Sequence, residues 1–285
     1  MARLYRSLLF VPGNNPRFLE KAKTSQSDIV CFDLEDSVPD SEKKNARKLI
    51  RDALKSRDSY SSSIYVRTNS PISGKIPDDL SEIIQKGLDG IVIPKVNNAK
   101  ELGKIIKLIQ SLEKKRKLKP LFVIPSIESA EGVVNTYHIA KSSKRIPAVV
   151  FGVFDLLNDM GIEYTKQSEG AKYSRAKIPL DARAAGVLVI DAIWQDLKDL
   201  EGLKQDCIIG KNLGYSGKSI IHPDQIIICH ELFAPNKSEL EWARKVCSIY
   251  EESTKKGKGA TVVDGKMIDE VHYKQAKALL DLEKK

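Results

Sequence analysis

One pattern limits the architecture more than any other: short apolar runs alternate along the chain with longer amphipathic segments. The runs fall at residues 7–12 (SLLFVP), 28–35 (DIVCFDLE), 63–69 (SIYVRTN), 90–96 (GIVIPKV), 121–127 (LFVIPSI), 148–154 (AVVFGVF), 186–193 (GVLVIDAI) and 219–223 (SIIHP). Helical segments follow at 14–23, 41–55, 77–86 and 99–115, and one helix's worth of residues separates the fifth run from the sixth. Short runs rich in Val, Ile and Phe, separated by helices, read as parallel strands buried on both faces. Eight such units in roughly 225 residues predict an α/β fold, a closed (β/α)8 TIM barrel. An open doubly wound sheet is the alternative, but the GxGxxG turn it often carries is absent from the chain.

Composition sets the outer bounds. The chain has 285 residues, 41% hydrophobic and 30% charged, enough material for one large barrel core. No apolar run approaches the ~20 residues needed to span a bilayer, and the first seventeen residues lack a signal peptide's order of regions, so a cytoplasmic protein without membrane attachment is expected. The four cysteines, Cys31, Cys207, Cys229 and Cys247, are scattered without metal spacing and read as inert thiols, Cys31 as a small core residue. The net charge of +9 is spread along the chain and interleaved with acids. No nucleic-acid motif accompanies it, and a basic surface also suits a small phosphorylated ligand.

The residues that close the runs carry the chemistry. They are Pro12, Glu35 with Asp36, Arg67, Lys95, Glu128, Asp155, Asp191 and His222. Barrel active sites occupy the C-terminal rim of the strands, so this register of charges marks a site rather than scattered surface groups. Glu128 and Asp155 end neighbouring runs, and two hard oxygen ligands with coordination positions left for water and substrate suit Mg²⁺, or Mn²⁺ in its place. Glu35 and Asp36 stand beside them to hold metal-bound waters or orient Arg67; the plainer reading is helix N-terminal acids. Arg67 offers a planar fork for a substrate carboxylate, or a structural ion pair. Lys95 and His222 are weaker candidates, and Lys95 is placed as a neutralising neighbour. A metal, an arginine clamp and open sites together fit chelation of a 2-oxo acid and aldol or Claisen chemistry.

Beyond the eighth run, residues 236–285 are not needed to close a barrel formed by 1–235. Asn236 or Ser238 caps a helix to about Ser253, followed by a Gly/Lys-rich stretch, a β-like segment, an Asp264–Gly265 turn and a final helix. This extension is expected to act as a lid over its own or a neighbouring active site.

The segments RSLLFVPGNNPRFLEKAK, DIVCFDLEDSV, YVRTNS, GIVIPKV, PSIESAEGV, FGVFDL, RAAGVLVIDAIWQDLKDLEGL, GYSGKSIIHPDQI and GKMID together resemble the HpcH/HpaI aldolase and citrate lyase beta-subunit family, in order and over nearly the whole chain. The resemblance is closest to the acyl-CoA lyases acting on citryl-CoA, citramalyl-CoA or malyl-CoA. It implies a TIM barrel, Mg²⁺, CoA or acyl-carrier-protein thioester substrates that yield acetyl-CoA and a 2-oxo acid, and a homotrimer or hexamer, with other citrate lyase subunits as possible partners. It places Glu128 and Asp155 on the metal ligands and Arg67 on the arginine that grips the oxo acid. Asp33, Glu35 and Asp36 fall on the acidic motif beside the metal, Arg17 and Lys23 on basic positions facing the CoA phosphates, and Asp269 on the acid of the C-terminal segment. The family usually has an acid before the metal-binding Asp; Phe154 stands there in this chain, which puts efficiency or substrate choice in question. The alternatives are a CoA-independent pyruvate aldolase and a non-catalytic CoA- or partner-binding subunit.

Overall fold

Each of the eight apolar runs forms a strand: β1 (Ser7–Pro12), β2 (Ile29–Asp33), β3 (Ser63–Arg67), β4 (Gly90–Ile93), β5 (Phe122–Ile127), β6 (Ala148–Phe151), β7 (Leu188–Asp191) and β8 (Gly217–Ile220). In this computed structural model, which describes residues 5–166 and 168–283, the strands pair in parallel in chain order and β8 closes on β1. The expected (β/α)8 barrel is therefore the observed one. Its interior follows from the two-residue period of a strand. Phe10, Cys31, Tyr65, Val92, Ile124, Val150 and Ile190 meet in one cluster inside, while their chain neighbours face the surrounding helices. Among those helices, Lys43–Leu54 and Ala99–Arg116 bury an apolar stripe that includes Ile50 and Leu54 in the first and Ile105 and Ile109 in the second.

Two local readings need correction. The sixth strand stops at Phe151, and residues Val153–Asp159 are a helix, so Asp155 sits in the first turn of that helix and does not end a strand. The first helix is also shorter than expected. Asn15 caps it by accepting from the amides of Arg17 and Phe18, it covers only Pro16–Lys21, and a 3-10 turn over Ala22–Thr24 follows. Arg17 and Lys23 thus lie on different elements.

The chain divides into two compact units, Tyr5–Cys229 and a C-terminal one from His230 onward. In the latter, Asn236 and Glu239 form a capping box at the start of the helix Lys237–Lys255. A hairpin of β9 (Ala260–Val263) and β10 (Lys266–Asp269) turns at Asp264 and Gly265, both with positive φ as a tight hairpin requires. The last helix, Glu270–Glu283, packs with the others around Ala243, Val246, Val263, Ile268 and Ala276. No helix among the described residues is long and apolar enough to cross a membrane.

Candidate active site

The C-terminal mouth of the barrel opens into a cavity of about 480 Å³. Strand parity decides what lines it. Asp33, Arg67, Ser126 and Glu128 share the parity of the interior residues on their strands, and all four face the cavity. Asp36, Asp155 and Phe154 join them from the segments after β2 and β6.

Arg67 is held on every side. Its Nε and Nη2 donate to the two oxygens of Asp33 at 2.7 and 2.8 Å, and Nη1 lies 3.1 Å from Glu35 and 3.4 Å from Asp36. The guanidinium also stacks over Phe10, 4.7 Å from the ring centre. Asp33 in turn accepts from the amides of Glu35 and Ser37 and from the Ser37 hydroxyl. Burial alone would raise the Asp33 carboxyl, but the charge and hydrogen bonds of Arg67 overcome it and hold the group below the usual range. The bidentate edge of the fork is therefore committed to Asp33, leaving Nη1 turned toward Glu35 and Asp36.

Lys95, placed by sequence as a neighbour only, is the hinge of the arrangement. Its ammonium lies 3.0 Å from Glu35, 3.4 Å from Asp36 and 3.2 Å from Asp155. Its amide donates to Glu128 Oε1 at 2.7 Å. To do both, the backbone takes φ of +52°, a left-handed conformation that costs a side-chain-bearing residue energy and recurs at functional sites. The Glu35 contacts are ion pairs without aligned hydrogen bonds.

Glu128 follows β5 directly. It is buried, and Gly152 makes room for it: a β-carbon there would fall 2.5 Å from Glu128 Oε2. Burial, then the negative charges of Glu35 and Asp155, push its carboxyl up to about 8. Burial likewise pushes Glu35 up to about 7, with Arg67 and Lys95 offsetting part of the rise. Buried carboxylates in excess of their cations mark a place where a further cation is favourable. Among the described residues no three His, Cys, Asp or Glu side chains form a closed metal cage. An open pair of carboxylates, Glu128 and Asp155, is the donor set that Mg²⁺ takes while keeping several of its waters. The residues present fit a hard divalent ion.

The remaining candidates are dispersed. Asp191 is fully buried but faces outward, paired with Arg175 and Lys218 between β7, β8 and the helices; it is not part of the mouth. His222 is half exposed beside Asp224. A second, mostly apolar cavity of about 440 Å³ adjoins the mouth, sharing Phe10, Pro12 and Ile221 with it and adding Phe18, Lys21 and His222. Arg17 and Lys23 do not line either cavity, and Lys23 pairs with Glu20 at 2.6 Å. Lys21 is the cation that sequence reasoning missed; helical spacing was the available signal, since residues four apart share a face and residues six apart do not. Asp269 belongs to the C-terminal unit, where it caps the helix Glu270–Glu283 and holds His272 Nδ1 at 2.7 Å. The hydrogen bond from His272 keeps its carboxyl below the ordinary value. Phe154 stacks on Tyr164 with ring centres 4.6 Å apart.

With the geometry described, likeness to known proteins is decisive. The model of the HpcH/HpaI aldolase/citrate lyase family matches residues 6–223. The chain belongs to that family. It is 34% identical over 282 residues to the citrate lyase subunit beta of Leuconostoc mesenteroides, covering 98% of this chain and 93% of the relative. It is also 33% identical over 279 residues to a (3S)-malyl-CoA thioesterase of Cereibacter sphaeroides, covering 98% and 94%. Among solved structures, CitE of Mycobacterium tuberculosis in complex with magnesium, acetoacetate and coenzyme A superposes with a TM-score of 0.82 at 26% identity, over the full length of both chains. As a member of this family the protein is an enzyme of the lyase type.

Proposed function

We propose that this family member is a Mg²⁺-dependent carbon–carbon lyase that cleaves a 3-hydroxy acyl-CoA into acetyl-CoA and a 2-oxo acid. The observation that carries the reading is the excess of carboxylates at the barrel mouth, where Glu128 and Asp155 line one cavity with Arg67. The magnesium and oxaloacetate bound by the citrate lyase beta subunit of Mycobacterium tuberculosis support it. Lewis-acid polarisation of the reacting carbonyl is what a divalent ion supplies when bound there, and Mn²⁺ would serve as well.

The chain's own residues do the rest. Arg67, locked by Asp33, presents Nη1 to the oxo-acid carboxylate. Glu35 and Asp36 hold that guanidinium and the Lys95 ammonium in place. The apolar second cavity, with Lys21 on its wall, receives the CoA arm, and Arg17 and Lys23 are the further basic residues assigned to its phosphates. In cleavage the carbon–carbon bond breaks, the hydroxyl proton passes to solvent water as its oxygen becomes the keto oxygen of the 2-oxo acid, and the acetyl carbon takes up one proton in exchange. Asp269 is assigned that carbon-bound proton, in a homotrimer or hexamer.

A second reading comes from the malyl-CoA thioesterase relatives: hydrolysis of the thioester at the same site. One assay separates them. Citryl-, citramalyl- and malyl-CoA are incubated with and without Mg²⁺, and acetyl-CoA, oxo acid and free CoA thiol are measured. Mg²⁺-dependent acetyl-CoA with equimolar oxo acid is expected; free thiol without oxo acid would instead establish the hydrolase. Neither product would leave a non-catalytic subunit, alone or with other citrate lyase subunits and their acyl carrier protein.

A further inference from the structure

Resting on the lyase reading, we infer that Ser219 is a further catalytic residue, its hydroxyl donating a hydrogen bond to the thioester carbonyl oxygen of the substrate. Orientation comes first. Ser219 stands opposite Leu8 where β8 pairs with β1, and Leu8 belongs to the interior cluster, so Ser219 faces the inside of the barrel. There it lines the mouth. It is 1% exposed, and its hydroxyl has no hydrogen-bond partner among the described residues. A buried hydroxyl left unpaired costs stability that a ligand oxygen recovers. The other hydroxyls of the mouth are placed differently. Ser37 donates to Asp33, and Ser126 lies on β5, two residues before Glu128.

Position then selects the atom that Ser219 meets. Phe10, Pro12 and Ile221 line both the mouth and the apolar cavity assigned to the CoA arm. Ile221 is two residues beyond Ser219, and Phe10 two beyond its partner Leu8, so Ser219 lies next to the boundary between the two cavities. Glu128 and Asp155 follow β5 and β6, three and two strands away from β8. A substrate reaching from the CoA cavity to that donor pair carries its thioester past β8. The reaction needs a donor at this point. As the carbon–carbon bond breaks, its electron pair moves into the thioester, and the carbonyl oxygen takes on enolate charge. When the carbon takes up its proton, the pair forms the new carbon–hydrogen bond and the carbonyl is restored. Ser219 keeps its own proton throughout. With Phe10, Ile193 and Ile221 on the same cavity wall, a hydrogen bond to charge that develops in the transition state is stronger than it would be in water.

The test compares the full-length protein with its Ser219→Ala variant, both with Mg²⁺, on whichever of citryl-, citramalyl- and malyl-CoA turns over fastest. The variant should lose about 10²-fold in kcat with KM little changed, because the bond strengthens only as the enolate forms. Its denaturant midpoint should equal or exceed that of the wild type, since the hydroxyl it loses is unpaired. Infrared difference spectra of bound acetyl-CoA, labelled with carbon-13 at its carbonyl, give a readout independent of turnover. The carbonyl band should lie below that of free acetyl-CoA in the wild type and return toward it in the variant. An unchanged kcat, an unmoved band or a lowered midpoint in the variant overturns the inference while leaving the lyase intact. If the wild type cleaves no thioester, the lyase reading falls and the spectra alone decide. A band restored by Ser219→Ala then upholds the hydrogen bond to the thioester; the same band in both proteins, or no bound acetyl-CoA, refutes it.

Discussion

Two of the charged clusters among the described residues of the barrel differ in their balance of charge. At the mouth, Asp33, Glu35, Asp36, Glu128 and Asp155 surround Arg67 and Lys95. On the flank, between β7, β8 and the helices Lys172–Ala185 and Leu200–Leu213, Asp191 and Asp206 meet Arg175 and Lys218 at 2.5 to 3.2 Å. The flank is balanced, two against two. The mouth is not. The carboxyls respond accordingly. Lys218 and Arg175 outweigh burial and lower Asp206, whereas burial and neighbouring acids raise Glu128. A balanced buried network is complete and structural, while an unbalanced one opening on a cavity is incomplete without a cationic ligand.

The sharpest way to break this contrast is to remove the mouth's donors. Glu128→Ala or Asp155→Ala should abolish Mg²⁺ binding in calorimetric titration and lower turnover by several orders of magnitude, with unfolding midpoints little changed. Wild-type titration by both variants would end the metal assignment.

The same replacement in each cluster gives the next largest effect. Lys218 is fully buried, so Lys218→Met leaves Asp191 and Asp206 to share Arg175 alone and should cost ~3–5 kcal/mol in denaturant unfolding. Lys95 is a third exposed, so Lys95→Met should cost ~1 kcal/mol or less while impairing activity. Similar stability losses for the two would erase the distinction between structural and functional clusters.

Arg67→Lys keeps the charge but loses the fork that Asp33 grips. Oxo-acid binding should weaken by ~1–3 kcal/mol, with CoA affinity nearly constant. Parallel losses for both ligands would assign Arg67 a structural role.

The smallest effect is the flank's response to acid. The folded Asp206 carboxyl lies below its unfolded value, so its contribution to stability is fully present above the unfolded range, near 3.9, and is lost as pH falls through the lower folded value. Asp206→Asn should therefore flatten the stability profile below about pH 4. An unaltered acid limb would show that the flank contributes nothing through that group.

The sequence by itself determined the repeating strand–helix order, the closed parallel barrel, and the placement of Arg67 and Glu128 at strand ends. These rest on local periodicity, which each segment carries independently of the others. Strand parity was legible too: Asp191 alternates with Ile190, an interior residue, so it had to face the helices. What the sequence left open was partnership. Asp33 meets Arg67 across 34 residues, Lys218 meets Asp191 across 27, and Lys95 reaches acids of three separate segments through its ammonium and its amide. The left-handed turn at Lys95 and the gap at Gly152 likewise appear only in three dimensions. Only closure of the barrel brings such distant charges within a few ångströms, and so only the tertiary structure decided which cluster is balanced and which is left short of cations.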